Sequence, residues 1–399
     1  MRVLIYTGKG GTGKSALSCA TAAKVAETRR DVLVMSSDPA HTLMDLFEAE
    51  IGPKPTKVTD HLWALQVDPL KEVKEKYGII QEYVAMVFKA KGLDETLAYE
   101  VASLPNMTSF LSLLKIVDIF EEGGYDAIIL DTVPSGEALK NLYLPTLMGS
   151  MSRKLLKLAG SLVGAAKVVE PLVKIPAPSK QVIEADLKLL DRLEKLKEIL
   201  TDSKKTSLRL VANPDAFSIG NLRRTYMTAG LYGINADLAV INKVLPDEVS
   251  DPYFEGWRKT QAKYLAEAEI SFYPLPIRKV RLFKEELKGL RLLRKCAEEL
   301  FEDDEPLRVF YEGRPFSVEQ GEGWMKFVIK TPFLDKERCE VERLGEEIMV
   351  KVDSEVGEVR SFIPLPAITY NMKLSRAKLI GGELHIIFEA EVDERGRIS

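Results

Sequence analysis

A glycine-rich loop near the start of the chain carries the residue types that bind phosphate. Gly8, Gly13, Lys14 and Ser15 match the pattern G-x-x-x-x-G-K-[ST] between an apolar run and a helical pattern. Glycines let backbone N–H groups turn toward phosphate oxygens, and the following helix adds its positive end. We expect Lys14 to bridge the β- and γ-phosphates and Ser15 to offer a hydroxyl to Mg²⁺. The predicted nucleotide-binding residues of this loop are Gly8, Lys9, Gly10, Gly11, Thr12, Gly13, Lys14, Ser15 and Ala16.

A second lysine, Lys9, lies inside the same loop. An ammonium group beside the γ-phosphate offsets charge that develops on the transferring group, as an arginine finger does. The spacing alone leaves a solvated loop charge open as the alternative. With Lys14 and a carboxylate described next, Lys9 completes the predicted catalytic set.

Two carboxylates follow apolar runs that are typical of buried strands. Ala127–Leu130 leads to Asp131, and Val32–Met35 leads through two serines to Asp38. Ligands bind at the carboxyl edge of open α/β sheets, so we expect Asp131 to hold Mg²⁺ directly or through water. Asp38 is placed to orient and deprotonate the attacking water, or equally to cap a helix that begins at Pro39. The predicted metal-site residues are Ser15, Asp38 and Asp131.

The segments beyond these carboxylates carry further polar residues. Residues 132–137 place Pro134 and Gly136 in a loop that is suited to sensing the γ-phosphate. His41 is an isolated histidine near a helix start, which is more typical of a structural hydrogen-bond donor than of a catalytic base. We therefore leave His41 out of the predicted catalytic set.

Short apolar runs rich in β-branched residues alternate with helix-like segments over the first 300 residues. This alternation predicts an α/β fold of the P-loop NTPase type, with a mostly parallel sheet covered by helices on both faces. Two spacers, residues 69–124 and 141–206, exceed the length of a crossover helix and predict an inserted helical subdomain. The predicted strands are Val3–Tyr6, Val32–Met35, Leu62–Val67, Ala127–Leu130, Leu208–Val211, Leu238–Ile241 and Ser271–Leu275.

The pattern changes after a predicted helix at about Phe283–Leu300. An acidic segment at 302–306 follows, and beyond it apolar residues alternate with a period of two, which predicts a small β-sandwich. Gly381 and Gly382 mark a hairpin turn. The predicted domains are an ATPase domain at 1–300, an acidic linker at 301–306 and the sandwich at 307–399. Its predicted strands are Lys326–Ile329, Glu347–Val352, Glu358–Ile363 and Glu383–Phe388.

The composition disfavours several classes of partner. The chain has 399 residues with 56 basic and 60 acidic side chains, a net charge of −4 and no long basic run, which argues against nucleic acid. Its three cysteines form no CxxC pair, so neither a disulfide framework nor zinc is expected, and a reducing compartment is favoured. No charge-free apolar stretch reaches the roughly 18 residues of a membrane span. We expect a cytoplasmic protein without stable membrane insertion.

Three motifs together resemble the arsenite-pump and tail-anchored-protein-targeting ATPases, the ArsA/GET family, over residues 1 to about 300. They are Lys9–Ser15, Asp38-Pro39-Ala40-His41 and Asp131-Thr132-x-Pro134-Ser135-Gly136. The resemblance implies an ATP-hydrolysing, Mg²⁺-dependent homodimer in which Lys9 reaches toward the partner's phosphates and Asp38 acts on the attacking water. It also implies adenine-side contacts from Asn213, Asn242, Pro274 and Pro276.

The chain departs from this family in two respects and carries an additional region. It lacks the CxxC pair that clamps zinc between subunits of targeting members, and its thiols are scattered where arsenite pumps cluster theirs. The C-terminal region, with Ile363-Pro364-Leu365-Pro366, resembles a small-heat-shock-protein (α-crystallin-like) domain. That resemblance implies either a surface that holds non-native chains or a cap that stabilises the protein or its dimer, and we favour the cap.

The inserted helical region is a candidate client site. Leucines, valines and alanines recur at helical spacing over residues 155–173, and methionines such as Met86, Met107, Met148 and Met151 lie in nearby segments. Such stripes are more often core than binding surface. Dimeric relatives use this region as a groove for a hydrophobic client helix, so our hypothesis is that nucleotide closes the dimer and assembles such a groove. The alternatives are the energising subunit of an anion pump, or a biosynthetic ligase or positioning ATPase.

Overall fold

An eight-stranded sheet forms the centre of the larger part of the protein. The computed structural model describes residues 1–36, 42–90, 92–97, 107–131, 178–330, 339–345, 347–354, 357–365 and 367–390. The strand order is β3-β4-β2-β5-β1-β6-β7-β8, with all neighbours parallel except β3 and β4, which confirms the predicted mostly parallel sheet. The strands are β1 Arg2–Thr7, β2 Val32–Ser36, β3 Thr56–Thr59, β4 Leu62–Gln66, β5 Ala127–Asp131, β6 Thr206–Ala212, β7 Ala236–Val244 and β8 Ile277–Arg281.

Helices cover both faces of this sheet, as the alternation predicted. Successive residues of β1 enter different cores, with Leu4 packing on one face and Ile5 on the other, because side chains alternate along a strand. None of the helices in the described ranges is both long and apolar enough to cross a membrane. The helices are α1 Lys14–Glu27, α2 Thr42–Phe47, α3 Pro69–Glu72, α4 Gly78–Ala90, α5 Met107–Glu122, α6 Lys180–Thr201, α7 Ala216–Leu231, α8 Glu255–Ser271 and α9 Gly289–Phe301.

The predicted strand at Ser271–Leu275 is wrong. Helix α8 continues to Ser271, and the buried side chains of Phe272 and Leu275 belong to the turn that follows it. The strand of this region is β8, whose sequence Ile-Arg-Lys-Val-Arg is mostly basic and of which only Val280 is fully buried. Among the described strands, β8 pairs with β7 alone, so it needs few apolar side chains. The apolar residues that led to the prediction of a strand belong to the turn before β8.

A β-sandwich follows, in agreement with the change of period. Its two antiparallel sheets have the orders β14-β15-β10-β9 and β11-β12-β13. Phe327 and Ile386 of one sheet share a hydrophobic core with Ile348 of the other. Gly381 and Gly382 form the predicted turn with positive φ angles of 58° and 81°. The strands are β9 Phe316–Gly321, β10 Trp324–Lys330, β11 Cys339–Leu344, β12 Glu347–Ser354, β13 Gly357–Pro364, β14 Met372–Ile380 and β15 Glu383–Ala390.

The sandwich is seated on helix α7. Met227 of α7 belongs to the hydrophobic core of the sandwich, and Arg224 forms a 2.7 Å ion pair with Glu347. A Cβ added to Gly230 would overlap the ring of Pro315, so the helix and the segment leading to β9 are in close contact. Helix α7 therefore supports the sandwich through apolar packing, charge pairing and close backbone approach.

A buried arginine fixes the segment that connects the two parts. The Arg209 guanidinium is fully buried, donates to the carbonyl oxygen of Pro306 and to the Tyr6 hydroxyl, and lies 3.5 Å from the Asp237 carboxylate. It also lies 5.3 Å from the ring centroid of Phe310. Burial disfavours the charged form, but Tyr6 and Asp237 outweigh it and raise the pKa of Arg209. The connecting segment is thus held against the sheet by a charged side chain.

Candidate nucleotide site

The loop between β1 and α1 adopts a conformation that requires glycine. Gly11 and Gly13 have φ angles of 81° and 91°, in the left-handed region that disfavours other residues. A Cβ on Gly8 would overlap the carbonyl oxygen of Val211, and one on Gly13 would overlap the side chain of Asn242. The glycines therefore let the loop pass close to the ends of β6 and β7.

Hydrogen bonds within the loop hold its backbone in place. The carbonyl oxygen of Lys9 accepts from the Thr12 hydroxyl at 2.8 Å and from the Lys14 ammonium at 3.1 Å. Lys14 is only 8% exposed, so its charge is directed into the loop rather than toward solvent. Gly13 caps α1 without a side-chain hydrogen bond, which leaves the N–H groups of the first turn available to an anion.

Two side chains at the end of β7 support the loop from behind. The Asn242 amide donates to the Thr12 carbonyl at 2.9 Å, and the Lys243 ammonium donates to the Gly11 carbonyl at 2.8 Å. The sequence predicts Asn242 beside adenine and assigns no role to Lys243, so this support of the loop is not among its predictions. The available signal was the position of these polar residues directly after the apolar run Leu238–Ile241.

Lys9 and Lys14 point in different directions. The Lys9 side chain is exposed, and its ammonium lies 5.0 Å from the ring centroid of Phe217 in the first turn of α7. Phe217 is itself 77% exposed. One lysine of the loop is thus enclosed within its own chain, whereas the other lies on the surface.

Asp131 and Ser36 meet at the carboxyl edge of the sheet. The register places both opposite each other at the ends of β5 and β2, and the Ser36 hydroxyl donates to Asp131 at 3.1 Å. Asp131 is 2% exposed. Burial, and to a smaller extent the Asp131 charge, raises the pKa of the Cys19 thiol in α1, the helix that also carries Ser15. A carboxylate and a hydroxyl at one edge are ligand types that suit Mg²⁺.

Several predicted residues lie outside the described part of the chain. Asp38 and His41 belong to residues 37–41, and the loop after Asp131 belongs to residues 132–177, which also contain the apolar stripe of the predicted insert. Strand β2, which leads toward Asp38, ends at the same edge of the sheet as β5.

The predicted adenine-side residues lie at different ends of the sheet strands. Asn213 follows β6, and its side-chain oxygen is buried without a hydrogen-bond partner among the described residues, so it fits an N–H donor of a ligand. Pro274 and Pro276 instead precede β8. Val211 of β6 pairs with Val240 of β7, which in turn pairs with Arg278 of β8. The carbonyl oxygen of Pro276 accepts from the N–H of Ala239, so Pro276 lies nearer the amino ends of the strands than Val211 does.

The structure therefore does not bring Pro274 and Pro276 to the phosphate loop. The resemblance places both prolines beside adenine, and in the structure both precede β8, which begins at Ile277. The segments that reach the carboxyl edge are those after β7 and β8, which enclose a cavity of about 240 Å³. Its lining includes Pro246, Glu248, Arg281 and Phe283.

Two cysteines lie in the core rather than at a ligand site. Cys19 of α1 and Cys296 of α9 belong to one hydrophobic cluster and are fully buried. Burial raises the pKa of Cys19 and raises the pKa of Cys296 to about 12. Thiolates are the form that binds metals, so these thiols are poor ligands. Within the described ranges, no group of three or more His, Cys, Asp and Glu side chains is suited to a metal ion.

Comparisons with known proteins match both parts of the chain. The family model described as anion-transporting ATPase matches residues 1–302, and that described as an HSP20-like domain found in ArsA matches residues 322–388.

Relatives carry names of two kinds. A protein of Chlorobaculum tepidum named arsenical pump-driving ATPase is 34% identical over 98% of this chain and 96% of its own length. A protein of Aquifex aeolicus named arsenical pump-driving ATPase 1 is 32% identical over 97% of this chain and 99% of its own. A protein of Botryotinia fuckeliana named ATPase get3 is 29% identical over 75% of this chain and 89% of its own.

Proposed function

Because the chain belongs to the anion-transporting ATPase family and is therefore a P-loop ATPase, we propose that it acts as a dimeric switch. In this proposal, ATP binding closes two copies of the chain, and hydrolysis opens them, so that a hydrophobic client is captured and released. The observation that carries the proposal is the contrast between the two loop lysines, of which Lys14 is buried and Lys9 is exposed. A buried lysine serves the nucleotide of its own chain, while an exposed one is available to a neighbouring copy.

The phosphates of ATP bind against the N–H groups of the loop and the first turn of α1. Lys14 contacts the β- and γ-phosphates, and the bonds from Asn242 and Lys243 keep the loop in its cradle shape. Asn213 offers its unpaired oxygen to the exocyclic amine of adenine. The cavity after β7 and β8 is the candidate place for the base.

Ser15 and Asp131 are the residues that would hold Mg²⁺, with Asp38 nearby as the sequence predicts. The metal, when bound, neutralises charge on the β- and γ-phosphate oxygens. Ser36 orients Asp131 through its 3.1 Å hydrogen bond. This set of a hydroxyl and a carboxylate fits the preference of Mg²⁺ for oxygen ligands.

Hydrolysis follows in-line attack of water on the γ-phosphorus. The bond from the water oxygen to phosphorus forms, the bond from phosphorus to the bridging oxygen breaks, and ADP leaves with that electron pair. Asp38 accepts the proton of the water, a role assigned from the sequence because the residue lies outside the described part. Lys9 of the second copy stabilises the charge that develops on the transferring group.

The client is proposed to bind above the sheet, in the helical subdomain at about 69–124 and 141–206. In its described part, Met86 of α4 is 51% exposed, and a small cluster around Ala85 packs apart from the two main cores of the ATPase part. The name of the fungal relative supports a targeting role. The proposed limits of the parts are 1–300 for the ATPase domain, 301–306 for the linker and 307–399 for the sandwich.

A second candidate is the energising subunit of an anion transporter. The names of the two relatives that span nearly the whole chain favour it. Stimulation of ATP hydrolysis by arsenite separates the two candidates, because an anion-pump subunit responds to its cargo and a client-handling switch does not. The buried thiols of Cys19 and Cys296 support the absence of such a response.

The test is the ATPase rate per chain at increasing protein concentration, with the mass in solution recorded with and without a transition-state mimic. We expect the rate to rise with concentration, and Lys9→Ala and Asp38→Asn to abolish turnover while ATP still binds. A rate that is independent of concentration, with an active Lys9→Ala variant, would show that one chain suffices and would end the proposal. Client handling is tested separately: hydrophobic helical peptides must bind the ATP-bound protein more tightly than the nucleotide-free protein.

A further inference from the structure

The exposed contact between Lys9 and Phe217 has no role in packing. Phe217 is 77% exposed, so its ring contributes little to either core. The Lys9 ammonium lies 5.0 Å from the ring centroid, within the range in which the negative face of an aromatic ring attracts a cation. The ring therefore offers the lysine a definite place on the surface of its own chain.

Both partners are attached to fixed backbone. Asp215 caps α7 by accepting from the Ser218 N–H at 2.9 Å and from the Ser218 hydroxyl at 2.8 Å, which fixes the helix start that carries Phe217. The carbonyl of Lys9 is held by Thr12 and Lys14, as described above. Only the long side chain of Lys9 is left to move, so release of the lysine from the ring requires no change of the loop.

We propose that Phe217 is a positioning residue that holds the Lys9 side chain within its own chain until a second copy presents its nucleotide. This inference rests on the proposed dimeric switch. An exposed cation–π contact biases the side chain by only about two- to fivefold. A charge-assisted hydrogen bond to phosphate is stronger, so the lysine leaves the ring when a partner's phosphates arrive. Phe217 therefore sets the threshold for closure and leaves the rate within the closed dimer unchanged.

The test compares Phe217→Leu, which keeps apolar volume but removes the aromatic face, with Phe217→Trp, which keeps it. The dimer dissociation constant is measured by sedimentation velocity with ADP and aluminium fluoride. Because two Lys9 side chains leave their rings when the dimer closes, we expect Phe217→Leu to lower this constant about four- to 25-fold and Phe217→Trp to leave it near the wild-type value. Turnover at saturating protein should be equal in all three. An unchanged or raised constant in Phe217→Leu, or an equal fall in Phe217→Trp, overturns the proposal.

The same substitution in a Lys9→Ala background is the matched control. Because Phe217 acts through Lys9, Phe217→Leu should have no effect on the dissociation constant there, and an undiminished effect shows that the ring acts by itself. The resting contact has its own readout in the ¹³C resonance of reductively methylated Lys9, whose ring-current shift should vanish in Phe217→Leu. If this shift is present but the wild type stays monomeric with the mimic, the dimeric switch fails while the contact stands. If the shift is absent, the contact itself is refuted.

Discussion

The side-chain amide of Asn242 donates a 2.9 Å hydrogen bond to the carbonyl oxygen of Thr12, which ties the end of β7 to the phosphate loop. The two residues are 230 positions apart in sequence, and both the donor and the acceptor are buried. Because Asn242 is only 4% exposed, water cannot replace the amide if it is removed. The shape of the loop thus depends on a strand that contributes no residue to the phosphate-binding pattern.

Replacing Asn242 by Ala should weaken nucleotide binding. Loss of the amide leaves the Thr12 carbonyl buried and unpaired, at a cost of about 1–3 kcal/mol. The part of this cost that displaces the loop from its phosphate-binding shape lowers the affinity for ATP. We expect the Kd for ATP to rise roughly tenfold, measured by isothermal titration calorimetry. Lys243→Ala removes a bond at an exposed position and should have a much smaller effect, and equal effects of the two variants contradict this prediction.

Replacing Gly8 by Ala should destabilise the protein even without nucleotide. The added methyl group overlaps the backbone of Val211, which cannot move as a side chain does, and such overpacking costs about 1–3 kcal/mol. Gly10→Ala is the matched control, because a Cβ there meets nothing within 4 Å. Chemical denaturation of the nucleotide-free variants measures the difference. Equal free energies of unfolding for the two variants contradict the loop geometry described here.

Cys296 should make the stability of the protein fall at alkaline pH. Burial raises the pKa of its thiol from the ordinary 9.0 to about 12, so the folded state keeps the proton that the unfolded state loses. This contribution is fully present below pH 9.0 and is lost as the pH rises toward 12. Relative to Cys296→Ala, the wild type should lose up to about 1.4 kcal/mol per pH unit in that window. Parallel curves of unfolding free energy against pH for the two proteins would falsify the prediction.

Replacing Arg209 by Met should destabilise the protein strongly. The substitution leaves the Asp237 carboxylate buried without its partner, and breaking a buried ion pair costs about 3–5 kcal/mol. The double variant Arg209→Met with Asp237→Leu removes both charges and should recover much of the loss. Denaturant unfolding of the three proteins checks this order. A double variant less stable than Arg209→Met alone is incompatible with it.

The central strands and the phosphate loop could be predicted because their signals are local. Strands β2 and β5 are buried throughout, so their apolar runs are unbroken, and the loop pattern combines glycine, lysine and serine at fixed spacing. The edge strands β3 and β8 escaped because they are short and polar or basic. Their positions are set by pairing with a neighbour, which sequence periodicity does not report.

The contacts around the loop could not be predicted for a different reason. Asn242 and Phe217 reach the loop only because β7 ends and α7 begins beside it, and the sequence around these residues does not identify Thr12 or Lys9 as their partners. The positions of Pro274 and Pro276 likewise depend on where β8 begins, which its pairing with β7 sets. Long-range placement, rather than residue type, was the missing information.

Helix α7 begins beside the phosphate loop with Phe217 and ends against the sandwich with Met227 and Gly230. The sandwich is consequently not a module that recombination can exchange at the acidic segment 302–306. In a chimaera that receives the sandwich of a relative, the contact surface between α7 and the sandwich is mismatched unless the outer face of α7 is exchanged as well. The segment that must be exchanged together with the sandwich is therefore discontinuous in sequence, and it includes α7, which ends at Leu231, well before the acidic segment.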